Sequence, residues 1–188
     1  MTSTAPSLTT PRAARTRARI VDAALDLFER QGYDATTTTQ VAAAAGVTQM
    51  TFFRHFATKD AVVVSDPYDP LIAEAVGAQP RDLPPLTRVR RGMLAALGDV
   101  APADDTTALR RIAVVAANPR LRAAVVLATT ATERAIADRL VADGVPRLDA
   151  TVAAAACLGA CTAALLARTD ATAPLADTVT RALEVLDA

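Results

Sequence analysis

The chain has 188 residues, of which 52% are hydrophobic and only 3% aromatic, and its 20 basic residues balance its 20 acidic ones. This much apolar content excludes a disordered polymer, and because much of it is alanine, it favours an all-α fold. The charge is nevertheless uneven, since the first nineteen residues carry four arginines and no acidic residue. This distribution indicates an anionic partner for the N-terminal part.

The sequence gives no sign of secretion or membrane insertion. Its first residues, MTSTAPSLTTPR, lack the apolar stretch of a signal peptide. The uncharged run at 150–167 approaches the length of a membrane span, but it is mostly Ala and Thr rather than Leu, Ile or Phe. We therefore expect a soluble, cytoplasmic protein. Cys157 and Cys161 lie four residues apart in this run, and we expect both to be small core residues rather than a redox switch.

The first helix is predicted from its proline, its apolar face and its terminal glycine. Residues 1–10 are rich in Ser, Thr and Pro and are predicted to form a disordered arm. Pro11 is typical of the first position of a helix. Apolar residues then recur at helical spacing, which predicts one buried face: Ile20, Ala23, Ala24, Leu27 and Phe28. Gly32 ends the helix, because glycine accepts the left-handed conformation found after many helices.

Two short helices are predicted next. Thr37 and Gln40 have the spacing of a capping box, so the second helix begins just after this threonine. Gly46 supplies the positive φ angle of a reversing turn. Thr48 is then predicted to cap a third helix that begins at Gln49.

Prolines and capping residues divide the rest of the chain. A fourth helix is predicted to begin at Lys59, after a cap at Thr58. Six more helices are predicted to begin at or near these residues: Asp69, Pro84-Pro85, Asp104 or Asp105, Asn118-Pro119, Asp149 and Thr172. No stretch predicts a strand, so the fold class is all-α with about ten helices.

A helix, a short helix, a Gly-Val-Thr turn and another short helix make the helix-turn-helix pattern, whose last helix enters the major groove of DNA. The N-terminal end of that helix presents Gln49, Met50 and Thr51. Gln pairs bidentately with adenine, while Thr hydrogen-bonds a base or contacts a thymine methyl group. Lys59 places a cation at the head of helix four, which suits a DNA phosphate.

A string of short motifs runs through residues 20–62. They are Gly32-Tyr33, Thr36-Thr37, Val41-Ala42, Ala45-Gly46-Val47-Thr48, Thr51-Phe52-Phe53-Arg54-His55-Phe56 and Lys59-Asp60. Together they resemble the DNA-binding domain of the TetR family of bacterial transcription regulators. We accordingly assign a helix-turn-helix domain to 11–57 and a helical ligand-binding and dimerisation domain to 58–188.

The resemblance implies roles for individual positions. Thr37 would contact a phosphate, Thr48 belongs to the same set of DNA-binding residues, and the aromatic positions Phe53 and His55 would meet the DNA backbone. A solvated histidine without a role is the alternative interpretation of His55. Phe53 stands where the family often has Tyr, so it offers van der Waals contact only. Met50 stands where the family often has Gly or Pro, and its longer side chain can reach a thymine methyl group.

The resemblance also implies a homodimer and a pocket for a small-molecule inducer. An Ala-rich helix with Gly159 suits close helix packing, although it could instead be the central helix of the monomer. The dimer is predicted to form through helices at about 119–143 and 150–168. The candidate pocket residues are apolar side chains and one polar anchor, which are more often core than pocket: Met93, Leu97, Val115, Leu127 and Thr130.

The function predicted from these features is that of a ligand-responsive, sequence-specific DNA-binding transcription regulator. We expect a repressor that a small apolar or amphipathic molecule releases from a palindromic operator. The alternatives are a transcription activator, a ligand-independent or architectural DNA-binding protein, and an all-α enzyme. The enzyme alternative is not supported, because the sequence has no catalytic triad, metal-ligand cluster or phosphate-binding glycine loop. We therefore expect no catalytic residue, no metal and no cofactor.

Overall fold

A computed structural model of the protein describes residues 11–65, 69–98, 102–168 and 173–187. Within them the chain forms ten α-helices and no strand, so the predicted all-α fold is confirmed. The first four are α1 (Pro11–Gln31), α2 (Thr38–Ala44), α3 (Gln49–His55) and α4 (Ala61–Val64). The others are α5 (Asp69–Gly77), α6 (Pro85–Gly98), α7 (Pro102–Ala117), α8 (Pro119–Ala142), α9 (Arg147–Leu166) and α10 (Leu175–Glu184), with a 3₁₀ turn over Val185–Asp187.

The described residues form two compact units, one ending at Val63 and the other beginning at Val64. The sequence analysis placed the boundary between residues 57 and 58, just ahead of the predicted fourth helix. In the structure the division falls inside α4. The arm predicted for residues 1–10 lies outside the described residues.

The buried face of α1 includes Ile20, Ala24 and Phe28 as predicted, but the rest of it is rotated from the predicted face. Its buried side chains, which follow helical spacing, are Ile20, Val21, Ala24, Leu25 and Phe28. Ala23 and Leu27, predicted on the buried face, are only half-buried. Both sets are compatible with a helix, and packing against α2 selects the one that is shielded from water.

Threonine caps open both short helices, as predicted. Thr37 Oγ1 accepts a hydrogen bond from Gln40 N at 3.2 Å, and Thr37 N donates to Gln40 Oε1 at 2.8 Å, which completes a capping box. Thr48 Oγ1 accepts from Thr51 N at 3.1 Å. Between the helices Gly46 has a φ angle of 62°, a left-handed conformation that favours glycine. Each threonine cap stabilises its helix by about 1 kcal/mol.

Helix α4 begins at Ala61, so the predicted start at Lys59 is wrong. Thr58 is the cap as predicted, since its Oγ1 accepts from Ala61 N at 3.1 Å. The residues between them are drawn towards the loop after α1. Tyr33 Oη donates to Asp60 Oδ1, and Lys59 hydrogen-bonds the carbonyl of the same tyrosine. These tertiary contacts hold the segment out of the helix.

Two predicted caps in the second unit are wrong, and a third is not tested. Helix α7 begins at Pro102, so Asp104 and Asp105 lie inside the helix and do not cap it. Asp149 lies in the first turn of α9, where its charge favours the helix dipole, but it is not the cap. The predicted cap of α10, Thr172, lies outside the described residues. A proline stands at or immediately before the first residue of each of these helices, where its fixed φ angle suits a helix start. In α9 and α10 this proline is the N-cap and makes no side-chain capping hydrogen bond.

The second unit has an apolar core between α5, α6, α8, α9 and α10. Its buried members on α9, which share one face, are Ala150, Ala153, Ala154, Cys157, Leu158 and Cys161. Helices α5 and α6 approach closely where Val76 meets Gly92. A Cβ atom on this glycine would lie 2.6 Å from the Cα atom of Val76, so no larger residue fits there.

Cys157 and Cys161 are free, buried thiols in this core, as predicted. Burial raises the pKa of Cys157 to about 11 and that of Cys161 to about 12. Both groups are therefore protonated at neutral pH and behave as small apolar side chains.

Helix α9 is long and apolar enough to cross a membrane by length and composition, and it is the one single helix in the described ranges with this property. Helices α7 and α8 qualify together only as a pair bent by 120°. The core helix of a soluble protein passes the same test. Because α9 contributes six buried side chains to the core of its unit, we assign it to that role.

Asp143, the residue that follows α8, forms ion pairs with three arginines. Its Oδ1 lies 2.8 Å from Arg81 Nη2, and its Oδ2 lies 2.7 Å from Arg88 Nη2 and 3.4 Å from Arg139 Nε. The Arg88 hydrogen bond, with the charges of the other two arginines, holds the pKa of this carboxyl below its ordinary value. Arg88 is fully buried, so its charge depends on Asp143 for compensation.

Replacing Asp143 by Asn should destabilise the protein, because Arg88 would keep a buried charge without its counter-ion. We expect the melting temperature at pH 7 to fall by roughly 5 °C or more. The matched control is Asp138→Asn, which removes an exposed carboxylate paired with Arg147 and should change little. Circular dichroism measures both.

The same pair of variants gives a pH test. Because the pKa of Asp143 is lowered by folding, its stabilisation is complete above the ordinary value of 3.8 and is lost as the pH falls through the folded pKa. The difference in melting temperature between wild type and Asp143→Asn should therefore shrink in acid. Equal effects of the two substitutions at pH 7 would contradict the role of Asp143.

Candidate nucleic-acid interface

Helix α3 leaves most of its side chains in solvent. Phe52 is its only buried residue. At the N-terminal end Gln49 and Met50 are exposed, the methionine by 83%, and Thr51 is half-buried. The structure therefore places the three residues predicted to read bases together on one exposed end of a helix.

Two threonines predicted to contact the DNA, Thr37 and Thr48, also cap the helix starts. Thr37 and Thr48 are exposed caps, and Thr48 Oγ1 lies 3.0 Å from Thr51 Oγ1. A hydroxyl has one donor and two acceptor positions, so capping leaves it capacity for another hydrogen bond. These side chains fix the backbone and still face solvent.

Phe53 connects the exposed surface to the core. Its ring is 46% exposed and packs edge-on against Phe52, with centroids 5.4 Å apart and an interplanar angle of 89°. Phe52 in turn lies 6.0 Å from the ring of Phe56, and both are buried. The aromatic cluster therefore holds the ring of Phe53 in a defined orientation.

His55 lies at the C-terminal end of α3 and is half-buried. Partial desolvation lowers its pKa, and the positive charges of Arg54 and Arg17 lower it further. The neutral imidazole is thus the main form at neutral pH. A backbone phosphate beside it would oppose the two arginine charges.

Lys59 is engaged inside the N-terminal unit. Its Nζ donates to the carbonyl oxygens of Tyr33 at 2.7 Å and Thr36 at 2.8 Å, and it lies 4.0 Å from the centroid of the Tyr33 ring. It therefore stabilises the loop that leads to the cap of α2. Its contact with a DNA phosphate stays a prediction. The two hydrogen bonds restrict the movement of the ammonium group towards such a phosphate.

Two arginines near α3 were not singled out from the sequence. Arg17 reaches the C-terminal end of α3 from α1, and Arg54 is exposed on α3 itself. The available signal was the run of arginines without acidic residues at the start of the chain. It pointed to an anionic partner but did not distinguish side chains that face solvent from those that fold back.

The titration of His55 tests the electrostatics of this surface. Because His55 is the only histidine, its NMR signal is unambiguous. We expect a midpoint below the ordinary value of 6.5 in the free protein, and a shift towards 6.5 in Arg54→Gln. With a lowered pKa, the stability that His55 contributes is complete above 6.5 and decreases as the pH falls towards the folded pKa. A midpoint above 6.5 would contradict this arrangement.

The residues predicted to line a ligand pocket fall into two groups. Met93 and Leu97 pack in the apolar core of the second unit, and Val115 is buried on α7. Leu127, by contrast, is 78% exposed on α8. Thr130 lies on the same helix and donates its hydroxyl to the carbonyl of Val126 at 3.2 Å. The structure thus brings only the first two into one apolar cluster.

One face of α9 is apolar and exposed. It consists of Leu148, Val152, Gly159 and Ala163, which recur at helical spacing. The helix has no charged residue after Asp149. The N-terminal half of α8 also exposes Val126 and Leu127. Such contiguous apolar surface is typical of a protein–protein contact.

The comparisons with known families agree with this geometry. Residues 20–65 match the profile of the bacterial regulatory proteins of the tetR family, and residues 83–188, more than half of the chain, match a profile described as the MftR C-terminal domain. The chain belongs to the TetR family. The predicted resemblance to this family of bacterial regulatory proteins is confirmed.

Two curated relatives are similar to parts of this TetR-family chain. The HTH-type transcriptional regulator TcmR of Streptomyces glaucescens is 37% identical over 101 residues, which are 53% of this chain and 45% of TcmR. The uncharacterized HTH-type transcriptional regulator YvkB of Bacillus subtilis (strain 168) is 46% identical over 48 residues, 26% of this chain and 25% of YvkB. The chain thus spans less than half the length of either relative.

Solved structures share the fold along most of the chain. FadR of Thermus thermophilus, in complex with lauroyl-CoA, is 22% identical with a TM-score of 0.51, over 90% of this chain and 92% of FadR. SmeT of Stenotrophomonas maltophilia, the repressor of the SmeDEF multidrug efflux pump, is 19% identical with a TM-score of 0.56. The match covers 90% of this chain and 87% of SmeT. NalD of Pseudomonas aeruginosa is 19% identical with a TM-score of 0.55, and the match covers 94% of this chain and 95% of NalD.

Proposed function

We propose that the protein is a sequence-specific repressor that binds a palindromic operator as a homodimer and is released by a small molecule. The observation that carries sequence-specific binding is the exposed N-terminal end of α3, where Gln49, Met50 and Thr51 project from a rigidly capped helix. Helix N-terminal residues of this kind contact base edges in the major groove. Gln49 would pair with adenine, and the exposed Met50 would cover a thymine methyl group.

The backbone contacts would surround this end of α3. Thr37 and Thr48 offer hydroxyls at helix N-termini, where N–H groups and the helix dipole favour a phosphate. Phe53 would pack against a sugar, and His55 would meet a phosphate near Arg54. Lys59 would add a phosphate contact only if its ammonium group shares hydrogen bonds with the loop carbonyls it already binds.

Dimerisation would cover the apolar faces of α8 and α9. The exposed face of α9 combines two large residues, Leu148 and Val152, with Gly159 and Ala163, which allow a second helix to approach closely. Two copies related by a two-fold axis would present two α3 helices to successive major grooves. Binding at a palindrome follows from this symmetry.

The inducer would bind among the helices of the second unit. Thr132 Oγ1 and Arg90 Nε are buried and have no hydrogen-bond partner among the described residues. Buried donors are normally satisfied, so an acceptor group of a ligand, beside apolar residues such as Met93, would complete this region. FadR, which shares the fold, was solved with the amphipathic lauroyl-CoA. An amphipathic inducer with an acceptor oxygen is therefore the class we propose.

The central experiment selects DNA that binds the full chain from a random pool, and then screens compounds for release of the selected duplex. We expect a palindromic consensus and release by amphipathic acids, accompanied by a rise in the melting temperature of the free protein. Equal affinity for selected and random duplexes would exclude sequence-specific regulation. Binding that no compound in the panel reverses would leave the ligand-independent alternative as the better description.

Gln49→Ala tests base reading directly. The variant should lose roughly 1–3 kcal/mol of affinity for the selected site and little for a random duplex of equal length, because the lost hydrogen bonds are specific to a base. Gln79→Ala, in the second unit, serves as the matched control. Fluorescence anisotropy gives the six dissociation constants of wild type and the two variants on both duplexes. Equal losses of Gln49→Ala on both duplexes would refute the role of Gln49.

Val152→Glu tests the dimer surface. A charge at this position, which is 57% exposed in the single chain, should prevent burial against a second α9 and yield monomers in sedimentation. The control is Val185→Glu at a position that is 62% exposed outside α8 and α9. We expect the first variant to lose cooperative operator binding and the second to keep it. Two variants with identical sedimentation would place the dimer contact elsewhere.

A further inference from the structure

Two arginines of α1 turn back onto the helix-turn-helix. Arg17 Nη1 donates a hydrogen bond to the carbonyl oxygen of His55, the last residue of α3, at 3.0 Å. Arg19 Nη2 donates to the carbonyl oxygen of Ala45, the C-terminal cap of α2. Residues two apart on one helix therefore bind the C-terminal ends of the two helices that form the motif.

The contacts are made where short helices need them. The last carbonyls of a helix have no partner within it, and they carry the negative end of its dipole. A guanidinium group supplies both a donor and a compensating charge. Helices α2 and α3 have only seven residues each, so unsatisfied ends involve a large part of each helix.

Packing holds the guanidinium group of Arg17, whereas Arg19 is exposed and is held by its hydrogen bond at the turn. The Cζ atom of Arg17 lies 4.1 Å from the ring centroid of Phe56, which caps α3 and is buried. This half-buried site lowers the pKa of Arg17 by desolvation. Arg19 lies against the turn, where a Cβ atom on Gly46 would be 2.9 Å from its Nη2.

We propose that Arg17 and Arg19 form an arginine clamp that sets the orientation of the recognition helix, with Arg17 as a positioning residue for base reading. Both residues precede the segment matched by the family profile, which begins at residue 20. The proposal rests on the proposed reading of bases by α3. The clamp holds the end of α3 opposite to Gln49, so it would not touch a base itself. Losing it would change the orientation of α3 and thereby lower sequence discrimination.

The first test uses the full chain without DNA. In hydrogen exchange followed by NMR, Arg17→Gln should speed exchange of the Phe56 amide, which bonds Phe52 in the last turn of α3. Arg15→Gln removes an exposed arginine of the same helix and should leave this amide unchanged. Equal exchange in the two variants would overturn the clamp, whatever the protein does with DNA.

The second test separates positioning from phosphate contact. Wild type, Arg17→Gln, Arg17→Lys and Arg15→Gln are titrated with the selected site and a random duplex over a range of salt concentrations, below their melting temperatures. We expect Arg17→Gln to lower the ratio of specific to random affinity by roughly 10-fold with an unchanged salt slope on random DNA. Arg17→Lys keeps the charge and one donor but not the planar group on Phe56, so its ratio should lie in between.

The remaining outcomes count against the proposal. Equal losses on both duplexes, with a slope reduced by about one, would make Arg17 a phosphate contact instead. An unchanged ratio in both Arg17 variants would make the contact purely structural. Failure of the wild type to distinguish the two duplexes would refute base reading, and the exchange experiment would still decide whether the clamp exists.

Discussion

Helix α3 depends on contacts that its own seven residues cannot provide. Isolated helices shorter than about 12–15 residues are marginal in water, so a recognition helix of this length is stable only when both ends and one face are held from outside. Thr48 holds the N-terminal end, the Phe52–Phe56 pair anchors the buried face, and Arg17 holds the C-terminal end. With these contacts in place, four of the seven residues of the helix are exposed: Gln49, Met50, Phe53 and Arg54.

Several residues of the N-terminal unit combine a structural contact with a predicted contact to DNA. Thr37 and Thr48 cap helices and face solvent, and Lys59 stabilises the loop before α2 and is a predicted phosphate contact. His55 accepts a hydrogen bond from Arg17 at its carbonyl, and its half-buried side chain is a predicted contact with the DNA backbone. A change at any of these positions therefore alters structure and recognition together. Gln49 and Met50 differ, because both are exposed and their side chains make no hydrogen bond to the described residues. The proposed base reading can therefore vary at these two positions with less effect on the fold.

The second unit follows a different physical logic, in which buried charge and small residues organise a large apolar core. Asp143 compensates the buried Arg88 and so fixes α6 against the end of α8. Alanine, glycine and cysteine on α9 let neighbouring helices approach, and the same composition leaves an exposed face without charge. Arg90 Nε and Thr132 Oγ1 lie in this unit without a hydrogen-bond partner among the described residues, and they would supply the polar element of the proposed inducer site.

The sequence by itself determined the all-α class, the helix-turn-helix, its caps at Thr37 and Thr48, and the exposed residues of α3, because these follow from local spacing and capping chemistry. Only the tertiary structure decided which face of α1 is buried, where α4 begins, and that Lys59 and Arg17 point inward, since each depends on a partner more than 20 residues away. The pocket residues divide for the same reason: helical periodicity says that Leu127 and Met93 each lie on a face, but packing alone says which face meets another helix.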